Sequence, residues 1–312
     1  MIKKEDYMID AENSTDGYNE DWKVALRQKL SSSIFGQCSE ELYTEIGYCY
    51  QCYAPAFLYK YYSNNNSYHF DAVKNNTMWY SSATNFNDAF DCDLFVDETS
   101  IFQSIIAASP SAKGLKKGSP MWMEFKRKSA QATQKLQQVF EEMKRETGIS
   151  CFSELDDSLL MWAHYANNHR GFCVEYELLE ICKQLKFTPI PVIYSNEKNI
   201  VRSLFPQQLE ESVTRLVVDS LTTKSTDWSY EKEWRIVRDN NACGDAWDEE
   251  NHGAVLPMIK PTSIILGCEV TDSFQQKMQE HCKENKINLY KMKKDNYYYK
   301  LNKTTILSFD VE

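Results

Sequence analysis

Glycine is scarce in this chain, ten residues in 312, and all ten are isolated. A phosphate-cradling loop needs glycines in close register, so neither a P-loop nor a dinucleotide fingerprint is present. HExxH and a Ser-His-Asp elbow are also missing, which removes the simplest support for hydrolase and phosphotransferase chemistry. One CxxC occurs, Cys49 to Cys52, but no second pair or His pair follows at ligand spacing, so no metal is expected. No run approaches the ~20 apolar residues of a membrane span, and "MIKKEDYMIDAENSTDGYNEDW" lacks the apolar core of a signal peptide. A cytoplasmic protein without a membrane partner is expected. Basic residues are outnumbered 45 to 35, and the net charge of -10 opposes general attraction to phosphate backbones or anionic lipid. The best local basic run is "AKGLKKGS" at 112–119.

What the chain has in quantity is aromatic and thiol side chains. Nineteen Tyr and seven Trp accompany 42% apolar and 26% charged residues, a globular balance rich in rings. Ten cysteines are scattered, several inside apolar strand-like runs such as "ISCF" and "GFCVEY", and are expected to be reduced and buried.

The spacing predicts a polar tail and two helices over 1–56, then one α+β domain over 57–312 with a helical insertion at about 100–147. "FLYKYY", "TMWYSS", "GISCFS", "GFCVEYEL", "EKEWRIVRD", "AVLPMIK", "SIILGCEV", "KINLYKMK" and "YYYKLNK" read as strands. Helices and strands mix without a βαβ repeat. That predicts a mixed or antiparallel sheet with packed helices.

Three clusters carry candidate chemistry. In "SLLMWAHYANNHRGFCVEYE", Trp162 reads as core, whereas His164, Tyr165, His169 and Arg170 gather at a helix end and turn where a ligand could reach them. In "WSYEKEWRIV", strand alternation puts Glu231, Glu233 and Arg235 on one face; this is either a solvated face or the wall of a cleft. In a cleft, two carboxylates this close raise at least one pKa unless Arg235 compensates. "SSATNFNDAFD" at 81–91 is dense in side chains that bond their own backbone, and Asn87 and Asp88 could instead hold neighbouring segments in register.

The blocks "LYKYYS", "MWYSSATNFNDAFDC", "ISCFSELDDSLLMWAHYANNHRGFCVEYE" and "WSYEKEWRIV", in this order, closely resemble the bacterial domain-of-unknown-function family 2971 over about 57–240. A more distant similarity is to ADP-ribosyltransferases, in which a split sheet supplies a cationic or imidazole side chain to the NAD ribose, a Ser or Tyr beside the nicotinamide, and a late catalytic Glu, sometimes as Glu-x-Glu. That similarity implies NAD as substrate, with Lys60 in "LYKYY", Tyr80, Ser81 and Ser82 in "MWYSS", and Glu231 and Glu233 in those places. Tyr59, His164, Tyr165 and Arg170 complete the expected binding set, and Glu233 is expected to stabilise the charge left as nicotinamide departs. Lys60 departs from the pattern, since Lys lacks the planar fork of Arg. The implied partners are a nucleotide or NAD-like molecule and a protein or nucleic-acid acceptor, in a toxin or phage-defence setting. A non-catalytic nucleotide-sensing or protein-interaction module is the alternative reading. A metal-dependent nuclease would rest on Asp88, Asp91 and Asp93 alone.

Overall fold

The computed structural model describes residues 21–35, 39–112, 114–185, 188–203 and 209–309. The expected tail at 1–20 and Cys38 lie outside the described residues. The architecture is mixed α and β, built on an open eleven-stranded sheet. Its main path runs Trp247–Asp248, Gly253–Pro257, Thr77–Ser82, Thr147–Ser153, Phe57–Tyr62, Phe172–Glu177, Ser263–Leu266, Asn288–Lys294, Leu301–Leu307. Every pairing on that path is antiparallel except Ser263–Leu266 with Asn288–Lys294, which the helix Asp272–Asn285 connects as a parallel pair requires.

The sheet divides at Thr147–Ser153. On one flank this strand pairs along its whole length with Glu233–Asp239, which in turn carries the edge pair Ile190–Pro191. On the other flank it meets Thr77–Ser82 only at Gly148 and Ile149, and Phe57–Tyr62 only at Ser153. The middle of the strand is left without a strand neighbour on that side. Lys60 spans the gap: its Nζ donates to Ser150 Oγ at 3.0 Å and to the Cys151 carbonyl at 2.9 Å. An ammonium thus takes an acceptor that a ladder N–H would otherwise satisfy.

The two faces of the sheet bury different cores. One face packs Leu58, Tyr62, Tyr80, Phe152, Tyr176, Trp234 and Ile236. Helices Asp21–Phe35 and Glu40–Cys52 join that core through Leu26, Leu30, Ile46 and Tyr50, so the helical preamble is not a separate unit. Trp22 and Tyr50 each lie 6.1 Å from the Trp234 ring, and Lys23 Nζ and Trp234 Nε1 both donate to Glu154, at 2.6 and 2.7 Å. The opposite face packs Trp162, Ala166, Cys173, Ile265, Met292 and Leu301 against Tyr59 and Tyr61. The expected insertion is two helices, Glu98–Ala108 and Pro120–Arg145, over a smaller core with Leu94, Val96 and Val201. Pro120 starts the second helix at a position where its missing N–H costs nothing, and Ser119 caps it.

Candidate functional site

The gap in the sheet opens into a cleft of about 260 Å³ walled by Tyr59, Tyr61, Phe86, Phe152, Met161 and Tyr165. Asn85 and Asn87, from the loop after Thr77–Ser82, stand at its side, and Lys60, Asp91, Lys224, Glu231 and Glu233 supply its charge.

The carboxylates do not meet by strand alternation, as the sequence suggested. Glu231 ends a 3-10 turn, Thr226–Glu231, and Glu233 begins the strand Glu233–Asp239; between them Lys232 is left-handed, with φ 44°. A non-glycine residue there needs outside support. Ser153 supplies it, donating from Oγ to the Glu231 carbonyl at 2.6 Å, while Glu154 N–H donates to the Lys232 carbonyl at 3.0 Å. The corner brings both side chains to one ammonium: Lys224 Nζ lies 2.6 Å from Glu231 and 3.2 Å from Glu233.

Alternation does account for Glu233 and Arg235, which share a face, but that face is buried rather than solvated. Arg235 is fully buried and all five of its N–H groups are used. Nε and Nη2 fork onto Glu233 at 2.8 and 3.0 Å, Nη2 also donates to Asp91 at 2.8 Å, and Nη1 donates to the Leu221 carbonyl at 2.8 Å and to Cys92 Sγ at 3.0 Å. Glu231 is held differently, accepting among the described residues from Tyr165 Oη at 2.6 Å and from Lys224.

These environments push the two carboxyl groups apart. Burial alone would raise Glu233, but Arg235 and Lys224 outweigh it and hold the group down at about 2. For Glu231, burial is the largest influence and the Glu233 charge adds to it, so its pKa is raised despite Lys224 and Tyr165. Lys224 is desolvated as well, yet Glu233, Asp91 and Glu231 together keep it firmly cationic. Burial lowers Lys60, only partly offset by Cys151 and Glu233.

Of the residues expected at the site, Tyr59, Lys60, Tyr165, Glu231 and Glu233 line the cleft. Tyr80, Ser81, Ser82, His164 and Arg170, expected there as well, do not. Tyr80 points to the other face of its strand, buried in the main core beneath Arg238 at 5.2 Å. Ser81 bonds its own chain, and Ser82 caps the short turn Ala83–Asn85 and donates to the Lys144 carbonyl. His164 is exposed on the outer side of the helix Leu159–Tyr165, its ring 6.3 Å from that of Tyr230. Arg170 is exposed beyond a turn in which Asn167, Asn168 and His169 are all left-handed, and it lies near Glu269 instead. Trp162 is core, as expected, with Nε1 donating to the Asp156 carbonyl at 2.7 Å.

Lys224 is the largest omission from the sequence reading. It sits in "TTKST", seven residues before Glu231, with nothing in its own segment to mark it. The acidic group Asp88, Asp91 and Asp93 disperses: Asp91 turns to Arg235, Asp93 to Lys198 at 2.7 Å, and Asp88 caps Phe90 N–H. Among the described residues no three His, Cys, Asp or Glu side chains converge as a metal site, no helix is long and apolar enough to cross a membrane, and the nine described cysteines are free thiols.

No curated protein and no solved structure matches the chain. The model of a family described as a protein of unknown function, DUF2971, matches residues 161–236. That span holds Tyr165, Lys224, Glu231, Glu233 and Arg235, and over it the chain is similar to the DUF2971 family.

Proposed function

We propose that the cleft binds the nicotinamide-ribose end of NAD, or a related nucleotide, and that the chain breaks its N-glycosidic bond to transfer or hydrolyse the ADP-ribosyl group. The observation that carries this reading is the pair of carboxylates with opposed ionisation at one corner of an aromatic-walled cleft. Pairs whose environments drive their pKa values apart are how one site holds both a fixed charge and a proton carrier.

In this mechanism the roles expected from the sequence are redistributed. Glu233, ionised at any ordinary pH, supplies fixed negative potential as the C1′–N bond breaks and nicotinamide leaves with the bonding electron pair. Glu231 takes the proton of the acceptor hydroxyl or water whose oxygen then bonds to C1′. Tyr165 and Lys224 orient Glu231 for this, and the ring walls of Tyr59 or Phe86 stack on the departing base. At about 260 Å³ the cleft suits one ring and part of a sugar, with the remainder of the dinucleotide outside it. The free thiols suit a reducing, cytoplasmic setting. NAD consumption would be the chemistry of a toxin or a phage-defence component.

A second reading, a nucleotide sensor without turnover, is favoured by the saturation of Arg235 by Glu233 and Asp91 and of Glu233 by Arg235 and Lys224. The test is nicotinamide release from labelled NAD, with and without cell lysate as acceptor, for wild type, Glu231→Gln and Glu233→Gln, alongside thermal shift with NAD. The enzyme reading expects release that falls roughly 10²–10³-fold in Glu231→Gln, the scale of losing one positioned catalytic group. A shift without release supports the sensor, and neither shift nor release overturns both.

A further inference from the structure

The sheet ends in a hairpin whose tip contributes nothing to either core. Asn288–Lys294 pairs with Leu301–Leu307, and the connection at 295–300 carries Tyr297, Tyr298 and Tyr299, which are 89%, 75% and 101% exposed. The sequence reading took these tyrosines as the start of a strand, but the strand begins after them, at Leu301. The connection is built by other groups. Tyr297 N–H and Tyr298 N–H donate to Asp295 Oδ1 at 2.8 and 3.0 Å, Asn302 Nδ2 donates to Asp295 Oδ2 at 2.8 Å, and Asp295 N–H donates to the Lys300 carbonyl at 2.9 Å. The loop is therefore shaped by its backbone and by Asp295, while three rings are presented to solvent.

Charge around the tip inverts that of the chain as a whole. Within 291–303 five lysines stand against Asp295 alone, although the net charge is -10. Lys303 is engaged with Asp156 at 2.6 Å and Lys291 with Gln275 at 2.8 Å, whereas Lys294 is held only in an exposed pair with Glu269. Pairs of that kind contribute little and yield readily to a stronger anion. Lys293 and Lys300 are exposed and form no salt bridge among the described residues.

We propose that this hairpin is a binding surface for single-stranded nucleic acid, with bases stacking on Tyr297, Tyr298 and Tyr299 and phosphates meeting Lys293, Lys294 and Lys300. Consecutive exposed rings beside flexible cations are the two elements that sequence-tolerant single-strand binding needs. Base stacking on the rings requires unpaired bases, which selects against a duplex. The phenol hydroxyls disfavour insertion into lipid hydrocarbon, where each would lose its water. The proposal stands apart from the reading of the cleft, because it uses none of the cleft residues.

The experiment is fluorescence anisotropy of a labelled 20-nucleotide oligo-dT and of a mixed-sequence single-stranded RNA of the same length, with the full chain. A duplex and phosphatidylserine vesicles serve as competitors. The expected result is binding to the single strands at low salt, with log K falling against log salt at a slope of about −1.5 to −2 for two to three phosphates met. Each tyrosine changed to serine should weaken it roughly tenfold. Lys293→Glu with Lys300→Glu should abolish it, and all variants should melt with wild type. Absence of single-strand binding at low salt overturns the proposal. So does binding unchanged in the triple serine variant, or vesicle binding that the tyrosine changes abolish while no oligonucleotide is bound.

Discussion

The floor of the cleft and the tip of the 295–300 connection gather the same ingredients, aromatic rings and charged side chains, and put them to opposite use. At the floor, Arg235, Asp91, Glu233 and Lys224 are buried, and their charges are answered by one another within 3.4 Å. At the tip, three tyrosines and two lysines face water, and the loop is shaped without them. A buried charge must be fully partnered to be tolerated at all, so the floor is bound into the fold. An exposed ring or ammonium answers to no such demand, so the tip is free to serve an outside partner.

The sharpest way to break that contrast is Arg235→Ala, which leaves Glu233 and Asp91 buried with Lys224 alone. A loss of about 5 kcal/mol in chemical denaturation is expected, enough to unfold many domains of ordinary stability. Trp162→Ala, which empties a fully buried site between sheet and helix, should cost roughly 3–5 kcal/mol, whereas Arg170→Ala on the neighbouring exposed turn should stay within about 0.5 kcal/mol. Equal losses for those two would dissolve the distinction between floor and surface.

Smaller and more specific is the pH response of the floor. Glu233 is depressed, so its contribution to stability is present above the ordinary glutamate range and is lost as pH falls toward about 2. Glu231 is raised, so ionising it weakens the fold as pH climbs through and above the ordinary range. Glu231→Gln removes only the second effect. Its melting temperature relative to wild type should therefore be more favourable at pH 7 than at pH 4, and a difference that is flat with pH would show Glu231 to be an ordinary carboxylate. At the tip, changing Tyr297, Tyr298 and Tyr299 together to Ser should move the melting temperature by less than about 1 °C, since no buried contact is lost.

How much of this the sequence disclosed depended on range. Elements set by local signals were legible: the strands in "FLYKYY", "TMWYSS" and "GFCVEYEL", and the alternation that puts Glu233 and Arg235 on one face. The cleft was legible only in part, because its corner depends on Lys232 adopting a left-handed conformation that Ser153 and Glu154 enforce from 78 residues earlier in the chain. Lys224 was invisible for the same reason: its partners meet it only in the fold, Asp91 from a distant loop and Glu231 and Glu233 from the left-handed corner. Tyr80 was misplaced because its role came only from the distant similarity to ADP-ribosyltransferases, which does not say which face of Thr77–Ser82 meets the site.

The most direct test of the account is a carboxyl-detected NMR titration of the two glutamates, assigned with Glu231→Gln and Glu233→Gln. The account predicts that Glu233 loses its proton near pH 2 and that Glu231 titrates above the ordinary glutamate value of 4.5. Both groups titrating together near that value, or Glu233 as the higher of the two, would contradict the division of roles on which the proposed chemistry rests.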